Sequence, residues 1–272
     1  MNPITTFVKR YPQPVFWAIA YLTFFGGYLL YMAFPSDLWQ LMIYGVALGG
    51  LLVTAIADGR SGVRTFLSRM VRWRVGIQWY LVALFLPLVI KLGSIGLTLL
   101  TGGQVSSDFQ LPSWSSMLAT FLFIFFTISI GEEPGFRGFA LPRLLIGRSA
   151  LTASLILGVL RAIWHLPLFL FAGDSPLVIL MVIAGDVIFT WLFNNTAGSV
   201  LLAMIFHTSV DLNSEIFNPM LTSSSAQMQL IWQIAIYIGL AVLLVVLTGK
   251  ELGRRSRSGV EVAAPIEQPV TQ

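Results

Sequence analysis

The chain has 272 residues, of which 56% are apolar and only 10% charged, with a formal net charge of +4 and no cysteine. A soluble globular domain carries about 25% charged residues, so this composition belongs to the membrane class. The missing cysteine excludes disulfides, thiolate metal ligands and a cysteine nucleophile. The basic residues fall in connections and read as orientation signals, so no nucleic-acid partner is expected.

A membrane-crossing helix needs about 20 mainly apolar residues. Eight segments satisfy that in chain order: 14–34, 38–57, 77–100, 113–133, 150–171, 176–194, 197–217 and 227–248. The first is longer than a signal-peptide core and no small-residue cleavage site follows it, so it reads as a retained span. The expected fold is all-α: a polytopic bundle of about eight transmembrane helices around a polar intramembrane site. The bundle covers 1–250 and its motif-bearing core 113–217, while 251–272 reads as a disordered cytoplasmic tail. No internal repeat is visible, which weighs against an inverted-repeat transporter.

Orientation follows from charge. Arg60, Arg64, Arg69, Arg72 and Arg74 lie in the 58–76 connection, Lys9 and Arg10 precede the first span, and Lys250, Arg254, Arg255 and Arg257 follow the last. Connections of the other parity hold Asp37, Asp108 and Asp174 and no Lys or Arg. The positive-inside rule puts both termini in the cytoplasm, as expected for a multi-pass protein of the plasma membrane.

A short set of ionisable residues remains at membrane depth. Lys91 lies in the third span. Glu132, Glu133 and Arg137 lie at or just past the end of the fourth, in "GEEPGFRGF". Arg161 and His165 lie in the fifth, Asp186 in the sixth, and His207 and Asp211 in the seventh; the two histidines are the only ones in the chain. Each such group costs about 2.5–3.5 kcal/mol on insertion scales, so mutual contact or water is required. The three cations fall one charge short of the four carboxylates, a gap that a protonated carboxyl, a charged histidine or a bound cation would fill.

Spacing shows which groups share a helix face. Glu133 and Arg137 are four apart and suit an ion pair, although Pro134 and Gly135 intervene. Glu132 lies about 100° around the helix from Glu133 and faces elsewhere. His207 and Asp211 are four apart, as are Arg161 and His165. Each has a plainer reading as well. Glu133–Arg137 would fix the end of a span, Glu132 would snorkel, each histidine would be a helix–helix contact, Arg161–Asp186 would be a neutralising pair, and Lys91 would be structural.

Taken together, "EEPGFR", "WHLPLF" and "FHTSVD" resemble the pattern of the CAAX-protease and bacteriocin-processing (Abi) family of intramembrane proteases, which includes the type II CAAX prenyl endopeptidases. The pattern is Glu-Glu-x-x-x-Arg, a His on the next helix and His-x-x-x-Asn/Asp on a further one. The motifs span 131–211; the other spans match only in number and hydropathy. Two positions depart from the commoner pattern: Arg161 stands where an aromatic is frequent, and Asp211 where Asn is. An Asn amide donates at any pH and Asp only when protonated, so an orienting or ligand role suits Asp211 better than an oxyanion-stabilising one.

The resemblance implies hydrolysis of a peptide bond by an activated water. In it Glu132 and His165 position and deprotonate the water, His207 with Asp211 polarises the scissile carbonyl, and Arg137 holds Glu133 behind them. A metal route stays open, with Glu132, His165, His207 and Asp211 as ligands of a divalent cation such as zinc, although no His-Glu-x-x-His is present. The metal-free route is preferred because the family's arrangement reads without a metal. The implied partners are the bilayer and a membrane-associated protein or peptide, lipidated in the prenyl branch. The competing functions are a catalytically inactive membrane partner or immunity factor, and an ion or solute transporter.

One difficulty concerns depth. With straight helices Glu132 falls near the cytoplasmic surface and His165 about 24 Å along its span. Either the fourth span breaks at Pro134–Gly135 and the chain re-enters the membrane, or the fifth span starts deeper.

Overall fold

The computed structural model describes residues 2–36 and 41–253. Asp37, the start of the second span, and the polar tail with its three arginines from 254 onward lie outside the described residues. The helices are α1 (Pro3–Arg10), α2 (Pro12–Ala33), α3 (Tyr44–Met70), α4 (Ile77–Leu100), α5 (Trp114–Leu144), α6 (Ala150–Trp164), α7 (Val178–Asn195), α8 (Val200–Phe217) and α9 (Ser223–Thr248). Among the described residues there is no strand, only an isolated bridge between Val105 and Leu221. Among the described residues seven helices are long and apolar enough to cross a membrane, and α6 is a shorter apolar eighth of 15 residues. The all-α, multi-pass membrane architecture is therefore borne out.

Two expected boundaries are corrected. The fourth span does not end near 133, and the chain neither breaks nor re-enters the membrane there: α5 runs on to Leu144. Pro134 has no N–H to continue an α ladder and would normally kink it. The helix widens instead into π turns at Phe125–Ser129 and Pro134–Ala140, and the Leu141 N–H bonds the Phe136 carbonyl five residues back. The depth difficulty disappears, because Glu132 now lies about 18 Å from the Leu144 end of α5 and His165 about 22 Å from the start of α6, at 1.5 Å per residue. Nor is 58–76 a simple connection. Helix α3 passes through a kink at Gly59, where φ is 65° and ψ −154°, so Arg60, Arg64 and Arg69 lie on its extension. Only a residue without Cβ adopts that backbone readily.

Glycines bring the charged helix into place. On α5, Gly135 packs directly on α3: a Cβ there would overlap the Val46 carbonyl oxygen. Gly131 meets Ile43 of the same segment, so the small residues of the motif face α3 while Glu132, Glu133 and Arg137 take other directions. Gly135→Ala should therefore cost about 1–3 kcal/mol by overpacking, read as a lower thermal midpoint in detergent. On α6, a Cβ on Gly158 would come 2.9 Å from Ile183 Cα. That close approach to α7 carries Arg161 toward Asp186.

Two apolar layers enclose the polar residues. One joins α2, α3, α5 and α6 around Phe16, Phe136, Phe139 and Trp164, with Phe24 stacked on Trp164 at 3.9 Å. The other joins α4, α7, α8 and α9 around Ile188, Leu192, Phe206 and Tyr237. The ionisable residues of α5 to α8 lie at the seam. The basic segments share one end of the bundle. Ser199 bonds the Arg72 carbonyl there, the Leu151 N–H bonds that of Lys250, and Asn194 bonds that of Leu252. At the other end, the Ser106 N–H bonds the Met220 carbonyl and the Thr222 N–H that of Gln104.

Candidate active site

Four helices deliver one connected set of charges. Arg137 is fully buried and donates from Nη1 to Glu133 Oε1 at 2.9 Å and from Nη2 to Asp186 Oδ1 at 2.5 Å. Arg161 donates to the other Asp186 oxygen at 3.3 Å and to Glu132 Oε2 at 3.4 Å. His207 joins from α8, its Nδ1 2.7 Å from Glu133 Oε1 and its Nε2 3.4 Å from Asp211 Oδ2. The order is thus Asp211, His207, Glu133, Arg137, Asp186, Arg161, Glu132. Both guanidiniums also lie over rings, Arg137 over Phe189 at 4.1 Å and Arg161 over Phe136 at 4.9 Å, a favourable site for a desolvated cation.

The expected pairs Glu133–Arg137, His207–Asp211 and Arg161–Asp186 all form. Three contacts were not foreseen. Glu133 reaches His207 across helices, Arg137 reaches Asp186, and Arg161 reaches Glu132; sequence spacing carries no signal for any of them. Lys91 does not belong to the cluster. Its Nζ donates to Asn218 Oδ1 at 2.5 Å and to Gln233 Oε1 at 3.4 Å. Without it, four carboxylates face two guanidiniums, and the shortage of positive charge is greater than the sequence count implied. Because both ring nitrogens of His207 face carboxylate oxygens, only its doubly protonated form donates to both.

Glu132, Glu133 and His207 each offer a ligand atom within 4.8 Å of the others, and all three are buried. His165 is not one of that trio. It follows the last residue of α6, one turn beyond Arg161, and its Nδ1 is 2.7 Å from the Arg161 carbonyl. A carbonyl only accepts, so Nδ1 carries the proton and the neutral ring keeps its lone pair on Nε2. Ser129 Oγ and Thr208 Oγ1, 2.8 Å apart, tie α5 to α8 beside the cluster.

A divalent cation is compatible with these residues. Glu133 Oε2 is buried without a hydrogen-bond partner. The 3.4 Å between His207 Nε2 and Asp211 Oδ2 is close to the roughly 3.3 Å separating two ligands of one tetrahedral zinc with bonds near 2.0 Å. Imidazole and carboxylate together suit zinc.

A wide groove of about 700 Å³ leads away from Asp211 between α5 and α8. The Asp211 side chain is 32% exposed there, against 10% for His207 and none for Glu133, so the cluster opens at its Asp211 end.

Comparison with known proteins agrees with the resemblance drawn from the motifs. Residues 113–213 match the family model described as type II CAAX prenyl endopeptidase Rce1-like. The chain is 26% identical to the CAAX prenyl protease 2 of Methanococcus maripaludis, covering 78% of this chain and 82% of that one.

Proposed function

We propose that the chain is an intramembrane endopeptidase that hydrolyses a peptide bond near the prenylated cysteine of a CAAX-type terminus. The observation that supports this best is a coincidence of place: every member of the buried charge cluster falls inside the 113–213 segment that matches the endopeptidase model. In this reading Glu132 is the general base, because its one ionic contact among the described residues, to Arg161, is at the long distance of 3.4 Å. The unprotonated Nε2 of His165 helps hold the water. Glu132 takes the water's proton and passes it to the departing amine as the C–N bond breaks. His207, anchored through Nδ1 by Glu133, presents its Nε2–H to the scissile carbonyl oxygen. In the alternative metal route, a zinc ion held by Glu132, His207 through an unprotonated Nε2 and a further carboxylate would take over both roles, polarising that carbonyl and acidifying a bound water. By the positive-inside rule we also propose that the basic end of the bundle faces the cytoplasm.

The test is hydrolysis of a farnesylated CAAX peptide by the purified chain in liposomes, followed by mass spectrometry, with and without a chelator. Release of the C-terminal fragment supports the reading. No hydrolysis, with ion or solute flux through the same liposomes, would replace it with transport.

Asp211 gives a separate expectation. It faces Nε2 of His207, the nitrogen that Glu133 does not hold, so its role is to accept from that nitrogen and orient the ring until the scissile carbonyl takes the N–H. Asp211→Asn should lower kcat by about tenfold to a hundredfold, the usual cost of losing an orienting partner. A variant at least as active as the parent at neutral and alkaline pH would instead make Asp211 an oxyanion donor.

A further inference from the structure

The groove beside Asp211 is lined in part by Asn218, which contacts a buried cation. One wall is apolar, formed by Phe123, Ile124 and Ile128 of α5; the other carries Asp211, Glu215 and Asn218. Behind Asn218 stands Lys91, only 3% exposed, and among the described residues it has no carboxylate partner. Its neighbours are neutral: Asn218 Oδ1 at 2.5 Å and Gln233 Oε1 at 3.4 Å. An ammonium only donates, so the oxygen of the Asn218 amide must face it. The amide nitrogen is left free to donate into the groove, and the ammonium behind polarises it. A buried cation with no counter-charge calls for an anion.

We propose that Asn218, backed by Lys91, is the subsite for the free C-terminal carboxylate of the substrate, a refinement that rests on the endopeptidase reading above. Length supports it. Asn218 follows the last residue of α8, seven residues beyond Asp211, or about 10 Å at the helical rise. An extended peptide covers about 3.3–3.6 Å per residue, so three residues fit between them. In a Cys-a-a-X terminus the carboxylate lies three residues beyond the lipidated cysteine. A carboxylate held at Asn218 therefore sets the bond after that cysteine beside Asp211 and His207. Charge fixes the direction: the cluster, rich in carboxylates, repels the anionic end of the peptide and the Lys91 end attracts it. Glu215, exposed on the same wall three residues before Asn218, repels an anion there, so the hold on the carboxylate comes from Asn218 and Lys91. The substrate's last residues then run from the cluster away from the basic end of the bundle.

The experiment compares farnesylated CAAX peptides ending in a free acid or an amide, with the full chain in liposomes. The parent should prefer the acid by about tenfold or more in kcat/KM, as for loss of a charge-assisted hydrogen bond. Lys91→Gln should bring the acid-to-amide ratio near one, and Lys91→Arg should retain most of it. Should Lys91→Gln not fold, Asn218→Ala, at an exposed position, should collapse the ratio in the same way. A parent that cleaves both peptides equally, or a ratio that survives both substitutions, overturns the subsite and leaves the endopeptidase reading intact. A parent that cleaves neither overturns that reading. Binding of the same two peptides then decides the subsite: a preference for the acid that Lys91→Gln abolishes upholds it, and equal binding overturns it.

Discussion

Glu132→Gln is expected to lower kcat for cleavage of a prenylated CAAX peptide by about 10²–10⁴-fold, the range for loss of a general base, while the thermal midpoint stays close to that of the parent. The two halves of this expectation come from the same geometry. Among the described residues the Glu132 carboxylate makes one ionic contact, to Arg161 at 3.4 Å, and Arg161 keeps Asp186 at 3.3 Å when that contact goes. Little of the fold hangs on the charge of Glu132. Gln has nearly the same volume, so neither a cavity nor an overlap is created. A water-activating step, in contrast, needs a group that can accept a proton, and an amide oxygen is a far weaker base. Single-turnover hydrolysis with matched thermal scans in detergent would check both halves. Full activity in Glu132→Gln would remove Glu132 from the chemistry and pass the base role to His165.

How far the sequence reached depends on the kind of contact. Ion pairs along one helix were readable, because Glu133–Arg137 and His207–Asp211 depend only on a four-residue spacing and the helical period. Unforeseen contacts that join the helices, Glu133 to His207, Arg137 to Asp186 and Arg161 to Glu132, depend on the rotation of one helix about another. Spacing alone does not fix that rotation. It is set here by the π turns of α5 and by the glycine contacts with α3, and Pro134 in the sequence suggested a break rather than a widened helix. The charge count was more useful than any motif for Asp186, since a carboxylate in mid-span demands a cation nearby. It misled for Lys91, whose neutral amide partners lie on distant segments.

Arg137 carries the largest expected effect on folding. Its guanidinium holds Glu133 and Asp186 at once, at 2.9 and 2.5 Å, with all three side chains fully buried, and it lies 4.1 Å from the Phe189 ring centroid. Arg137→Met keeps much of the side-chain volume and removes the charge. Breaking a buried pair from one side costs about 3–5 kcal/mol, because the remaining charge has neither water nor partner. Here two carboxylates lose a fully buried guanidinium together. The compensation left is small: Asp186 keeps Arg161 at 3.3 Å, and Glu133 keeps His207 at 2.7 Å. The expected outcome is little folded protein in detergent, a midpoint well below the parent's, and no activity to measure. Arg161→Met should be milder, since both of its ionic contacts are long. Removing the cation and one anion together, in Arg137→Met with Asp186→Asn, should recover part of the stability, because it leaves fewer buried charges unpaired. An Arg137→Met protein that melts with the parent and yet fails to cleave would show instead that Arg137 acts on the reaction itself, through Glu133 and the ring of His207.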